Sequence, residues 1–172
     1  MLRPGLAGYW QTWNLPGEGR LPLTAVPQQY TEVIIAFVAP DNQGVVRWAG
    51  PNVPTRNDVR ILQNRGQRVL LSVGGGGVTV TLNTPERVRR FADSLYQLCY
   101  DLGVDGVDID VEEGMSVSGS PWNPTGTVKG LIDGIDAVIH SFPNGFMLTM
   151  APETLNLVGG IARYGGRYGN RY

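Results

Sequence analysis

One stretch of this 172-residue chain places carboxylates at a spacing that chemistry can use: Asp105-Gly106-Val107-Asp108-Ile109-Asp110-Val111-Glu112. Asp108, Asp110 and Glu112 recur at every second position, with Val107, Ile109 and Val111 between them. In a β-strand, period two separates the two faces, so the acids stand in a row about 6 to 7 Å apart while the apolar residues face covering helices. Carboxylates this close repel one another. At least one pKa rises, the titrations become collective, and one carboxyl can stay protonated near neutral pH beside an ionised neighbour. Such a row meets the electrostatic requirement for general acid–base work on a bond such as a glycosidic linkage.

Two other readings fit the same alternation: the solvated acidic face of an edge strand, and a set of oxygen ligands for a metal. The strand lies mid-chain between helical patterns, where a parallel sheet is buried on both faces, and buried acids need a function or a partner. A metal site would recruit histidine or further aspartates near other strand ends. The one histidine, His140, falls late in a helical pattern, so no metal is expected.

A second constellation is Leu71-Ser72-Val73-Gly74-Gly75-Gly76-Gly77. A phosphate loop is the competing reading, but no Gly-Lys-Ser/Thr follows and residues 78–83 separate the glycines from the next helical pattern. Glycines at a strand end allow close approach of a ligand or of neighbouring backbone.

The elements that must position these residues follow from hydrophobic period. Apolar runs at residues 6–12, 33–40, 69–73, 106–111 and 146–151 read as strands. Helical patterns separate the later ones. The first covers 57–64 and is ended by Gly66. The second is capped by Thr84 with Pro85 at its first position and carries Val88, Phe91, Leu95, Leu98, Cys99 and Leu102 on one face. The third starts at Thr127 and buries Val128, Leu131, Ile132, Ile135, Val138, Ile139 and Phe142. Strand, helix, strand at this spacing means parallel pairing. Residues 41–53 are too rich in turn formers for a helix and read as a surface excursion containing Trp48, and the Gly-rich tail from Gly159 reads as a loop.

Composition bounds the rest. With 42% apolar and 17% charged residues and a net charge of −1, one soluble domain over residues 1–172 is expected, and nucleic acid and anionic membrane surfaces are not expected partners. The single cysteine, Cys99, reads as a packing residue. No apolar run reaches membrane-span length, and the start Met-Leu-Arg-Pro-Gly lacks the apolar core of a signal peptide.

Taken together, the two motifs resemble those of glycoside hydrolase family 18, the chitinases and their relatives: Ser-x-Gly-Gly on strand three and Asp-Gly-x-Asp-x-Asp-x-Glu on strand four, both matched in full. Gly8-Tyr9-Trp10, Ala36-Phe37 and Leu148-Thr149-Met150-Ala151-Pro152-Glu153 also look like the bacterial and plant-type members. The resemblance implies an α/β fold, the (β/α)8 TIM barrel, of which this chain holds about the first five βα units. It implies retaining, substrate-assisted hydrolysis of β-1,4-linked N-acetylglucosamine polymers, without a cofactor, by an extracellular protein. Glu112 would protonate the glycosidic oxygen and then activate water, Asp110 would orient the substrate's acetamido group, and Asp108 would tune Asp110. Asp105 would fix the turn into the strand, and Glu113, of opposite parity, would be an exposed loop residue.

Substrate contacts are expected from Tyr9, Trp10, Phe37, Ser72, Gly74, Gly75, Met150, Glu153 and Trp122, with the aromatic residues as sugar platforms or, equally, as core. A non-hydrolytic carbohydrate-binding domain of the same fold and an endo-β-N-acetylglucosaminidase are the alternative functions. A full barrel takes about 250 residues, so strands six to eight are expected from a C-terminal half or from another chain covering the open edges.

Overall fold

The structure, a computed structural model, describes residues 5–14, 17, 19, 21–112, 118–120 and 123–151. In chain order the elements are β1 (Ala7–Gln11), a 3-10 turn (Leu23–Ala25), β2 (Glu32–Pro40), β3 (Val46–Trp48), α1 (Arg56–Gln63), β4 (Arg68–Gly74), α2 (Pro85–Leu102), β5 (Gly106–Asp110), β6 (Ser118–Ser120), β7 (Asn123–Thr125), α3 (Thr127–His140) and β8 (Met147–Met150). β1, β2, β4, β5 and β8 lie side by side in that order, all parallel. The sequential order is what successive crossovers produce: α1, α2 and α3 each return the chain beside the strand it has just left, and among the described residues the first crossover holds only the 3-10 turn.

Capping residues fix where the helices begin. Thr84 Oγ1 accepts the Arg87 N–H with Pro85 at the first position of α2, as the sequence predicts. α1 starts one residue earlier than its apolar pattern suggests, because Thr55 and Asp58 form a reciprocal capping box. Gly66 takes a φ of +82° just beyond the helix end.

The main core lies between sheet and helices. Val33, Ile35, Val69, Leu71, Val73 and Val107 from the strands meet Val59 and Leu62 of α1, Phe91, Leu95 and Cys99 of α2, and Val128, Ile135 and Val138 of α3. Fully burying a side chain such as Leu95 or Phe91 contributes about 1.5–3 kcal/mol. β4 is buried on both faces, with Leu70 and Ser72 fully covered on the inner side. Burial also pushes the Cys99 thiol up to about 12, consistent with a packing role.

Three features depart from the sequence expectation. Residues 41–53 are not a bare excursion: the Asp41 carboxylate takes the Gln43 and Val45 N–H groups, and β3 returns antiparallel to β2. That hairpin docks on α2 through the Val46 N–H donated to Ser94 Oγ at 2.9 Å, which a local pattern of turn residues does not reveal. β6 and β7 form a second short antiparallel pair. Ile132, expected in the buried stripe of α3, is 43% exposed. It borders an apolar groove with Ile109, Ile135, Leu148 and Met150 between α3 and β8.

Candidate active site

Strand register builds the acid row. Ser72, Asp108 and Thr149 lie abreast across β4, β5 and β8, and the strand period turns all three to the inner face. Asp108 is 1% exposed. Its Oδ2 accepts hydrogen bonds from Ser72 Oγ at 2.7 Å and Tyr9 OH at 3.0 Å, and its Oδ1 accepts one from Thr149 Oγ1 at 2.6 Å. Among the described residues no cation pairs with it. Three hydroxyl donors from β1, β4 and β8 thus satisfy both oxygens of this buried carboxyl group and fix its orientation.

Two residues on, Asp110 is half-buried at the strand end, and Glu112 is exposed just beyond it. Burial pushes the Asp110 carboxyl above the usual aspartate range, and the charges of Glu112 and Asp108 push it the same way. The Tyr9 phenol is also raised, first by burial, then by the charge of Asp108 and the hydrogen bond to it, and by Asp110. The row is therefore an electrically coupled set in which the middle carboxyl holds its proton to higher pH than an isolated aspartate.

The glycines of strand β4 make room for this arrangement. Gly74 has a φ of +130°, and a Cβ there would lie 2.2 Å from the Asp110 carbonyl oxygen. The Gly75 N–H donates to that same oxygen at 2.8 Å, and a Cβ on Gly75 would lie 2.7 Å from the Phe37 ring. Of the two roles open to these glycines, the structure realises close backbone approach. Asp105 Oδ2 accepts the Val69 N–H at 2.7 Å and ties the start of β5 to β4, in keeping with its reading as structural.

Beside Asp110 opens a cleft of about 310 Å³, lined by Tyr9, Gln11 and Trp13 from the first strand and its loop, Ala36 and Phe37 from β2, and Ala151 after β8. Trp13 stacks on Phe37 with centroids 5.7 Å apart and an interplanar angle of 18°, and Tyr9 lies tilted at 6.1 Å from the same ring.

Several expected substrate contacts are corrected by this geometry. Trp10 is 5% exposed and gives its Nε1–H to the Leu21 carbonyl at 2.8 Å, because it has the opposite parity to Tyr9 and packs in the outer core. Met150 pairs with Ile109 and lines the apolar groove against α3, so its neighbour Thr149, not Met150, faces the acids. Ser72 is fully buried and serves Asp108, and the space beside Gly74 and Gly75 is filled by protein rather than open to a ligand. Trp122, Glu153 and Glu113 lie outside the described residues. Trp13 and Thr149 were missed although parity could have found both: Trp13 follows Tyr9 and Gln11 at period two, and Thr149 falls opposite Asp108 once the strands are aligned.

The profile described as glycosyl hydrolases family 18 matches residues 5–144, a span that holds both motifs. The chain belongs to family 18. This family 18 chain is 33% identical over 177 residues to Chitinase Chi52 of Paenibacillus xylanexedens, covering 95% of the chain and 33% of that protein. It is 30% identical over 179 residues to Endochitinase 37 of Trichoderma harzianum, covering 96% and 53% respectively. The solved structure of a family GH18 chitinase from Chromobacterium violaceum superposes with a TM-score of 0.81 at 32% identity, over 96% of this chain and 44% of that one. The fold is thus the α/β barrel of the family 18 chitinases, of which the described parallel strands form an arc. The chain spans about a third to a half of the length of the curated relatives it matches.

Proposed function

We propose that the protein carrying this chain is a chitinase that hydrolyses β-1,4 bonds between N-acetylglucosamine units with retention of configuration. The observation that carries this is the acid row along and just beyond β5: a buried, hydroxyl-bound carboxyl at Asp108, a carboxyl of raised pKa at Asp110 and an exposed Glu112, with an aromatic-lined cleft beside Asp110. Glu112, at the solvent end, reaches the glycosidic oxygen, donates its proton to the leaving sugar and then takes a proton from the attacking water. Asp110 orients the acetamido group whose carbonyl oxygen attacks the anomeric carbon, so no enzyme nucleophile is needed. Its charge also offsets the positive charge that develops on the acetamido group. Asp108 fixes the field in which Asp110 titrates.

Trp13 and Phe37 offer apolar ring faces of the kind that bind sugars. A polymeric, insoluble substrate cannot enter a cell, so the protein would act outside it. The rest of the cleft wall would come from beyond the described strands, in the portion of the fold that the relatives carry and these residues do not.

The test is hydrolysis of chitin oligosaccharides against high-mannose glycans by the full-length protein and by its Glu112→Gln variant. Chitin oligosaccharides are the expected substrate, and the variant is expected to lose about 100- to 10,000-fold in turnover while still binding them. Binding without turnover in the unaltered protein would favour a carbohydrate-binding role. Cleavage of the glycoprotein glycan alone would favour an endo-β-N-acetylglucosaminidase. A Glu112→Gln variant that keeps more than about a tenth of the turnover would remove Glu112 from the acid role.

A further inference from the structure

We propose that Asn52 is a positioning residue for sugar binding: it clips the segment that carries Trp13 to the frame that carries Phe37, and so holds the two rings in the stacked arrangement the cleft presents. The inference rests on the reading of Trp13 as a sugar platform. Trp13 lies two residues beyond the end of β1 at Gln11, where one further sheet bond, from the Thr12 N–H to the Ala36 carbonyl at 2.8 Å, continues the pairing. The Thr12 side chain adds no directional tie, because its hydroxyl is fully buried without a partner among the described residues. The grip on Trp13 comes instead from the loop that follows β3. The Asn52 N–H donates to the Thr12 carbonyl at 2.9 Å, on the peptide that leads into Trp13. Its Nδ2 donates to Asn14 Oδ1 at 2.9 Å. One residue thus holds the chain on both sides of the ring.

The same loop is fastened to Phe37. The Ala49 N–H donates to the Phe37 carbonyl at 3.0 Å, continuing the antiparallel ladder in which Val38 faces Trp48. That hairpin is anchored in turn on α2, through the Val46 N–H and Ser94 Oγ. Between the two footholds, Gly50 lets the loop lie directly on Thr12: a Cβ there would stand 2.3 Å from the Thr12 carbonyl oxygen and 2.4 Å from its carbonyl carbon. Asn52 itself does not line the cleft. Its effect is on the stack, whose centroids lie 5.7 Å apart at an interplanar angle of 18°. A ring held in place before the ligand arrives avoids the cost of being ordered on binding, which a loose aromatic side chain must meet from the binding energy.

The test reads affinity and ring position separately. Calorimetry with a chitin oligosaccharide is carried out on full-length protein carrying Glu112→Gln, alone and combined with Asn52→Ala, Asn14→Ala, Trp13→Ala, or Asn52→Ala together with Trp13→Ala. The same proteins, labelled with fluorotryptophan, report the Trp13 ring by fluorine NMR, its signal assigned by its loss in Trp13→Ala.

Asn52→Ala is expected to weaken binding about two- to tenfold and to shift or broaden the Trp13 signal. Asn14→Ala removes the same bond from its other end and is expected to match it. In the Trp13→Ala background, Asn52→Ala is expected to change affinity no further, because the two residues act through one ring. Affinity equal to the parent's in Asn52→Ala, an unmoved Trp13 signal, or a loss as large without Trp13 as with it would overturn the inference, the last because general loosening of the fold would then explain Asn52. A Trp13→Ala protein that binds as well as its parent would remove the platform and this inference with it. Turnover plays no part in these readouts, so absence of cleavage by the unaltered protein would sink the proposed function and leave the test of Asn52 standing.

Discussion

Replacing Gly74 with alanine tests whether the approach of β4 to β5 sets the position of Asp110. The new Cβ would stand 2.2 Å from the Asp110 carbonyl oxygen, where real Cβ contacts are not found below 3.0 Å, so the strands must part by about 0.8 Å. A side chain at a φ of +130° adds about 1–3 kcal/mol of backbone strain. Parting the strands also stretches the 2.8 Å bond from the Gly75 N–H, worth a further 0.5–1.5 kcal/mol or so. The expected loss of stability is about 2–4 kcal/mol. Misplacing a positioned catalytic group by about 1 Å can cost on the order of 100-fold, so turnover should fall by that factor even where the variant remains folded. Urea denaturation measures the first quantity, and kcat/KM on a chitin oligosaccharide, taken well below the melting temperature, measures the second. A variant within about 0.5 kcal/mol of the parent and with unchanged turnover would refute the idea that this contact places Asp110.

Asp110→Asn should lower turnover strongly and move the acidic limb of the pH profile, because the row loses one of its coupled charges; an unchanged limb would mean that Asp110 does not interact with Glu112. The same variant should melt higher than the parent at pH 7. The folded-state pKa of Asp110 lies above its unfolded value, so its ionised form costs stability at neutral pH, and the difference between variant and parent should close as the pH falls to about 3.9 and below. Trp13→Ala should weaken binding of chitin oligosaccharides several-fold through lost stacking, with little change in the Asp110 titration; equal affinity in a binding titration would exclude Trp13 as a sugar platform. Residues 1–172 expressed alone should self-associate in light scattering, because Ile132, Leu148 and Met150 are 43%, 45% and 41% exposed beside the edge strand β8. A monodisperse monomer with cooperative unfolding and full turnover would contradict this.

The sequence made legible whatever depends on short period and local caps. The five parallel strands and three helices fall where apolar runs and Thr84-Pro85 place them, because burial on both faces of a parallel sheet leaves a continuous apolar run. The acid row was equally visible, since alternation in one strand needs no knowledge of its neighbours. What alternation within one strand cannot supply is which strand lies opposite. Thr149 acquires its role only by register with Asp108, and β3 exists only because Val38, Ala39 and Pro40 offer it a partner. Trp10 and Met150 were misplaced for a different reason. Each neighbours a residue that does face the site, and residue type alone does not carry the parity that separates Tyr9 from Trp10 and Thr149 from Met150.

The sequential strand order also carries a kinetic consequence. Every parallel pairing joins residues close in the chain, from Ala7 with Glu32 to Gly106 with Met147, so loops of only about 25 to 40 residues need closing at each step. A chain leaving the ribosome can therefore add each strand to a platform already built, in order of synthesis. Asp108 receives Tyr9 and Ser72 from earlier strands, but its Oδ1 waits for Thr149 on β8. During growth, one oxygen of this carboxyl therefore lacks its hydroxyl partner until the fifth parallel strand arrives. The hydrogen-bonded setting of the row is thus completed only by that late docking, so a nascent fragment ending before β8 would hold all three acids yet lack the donor that completes the hold on Asp108.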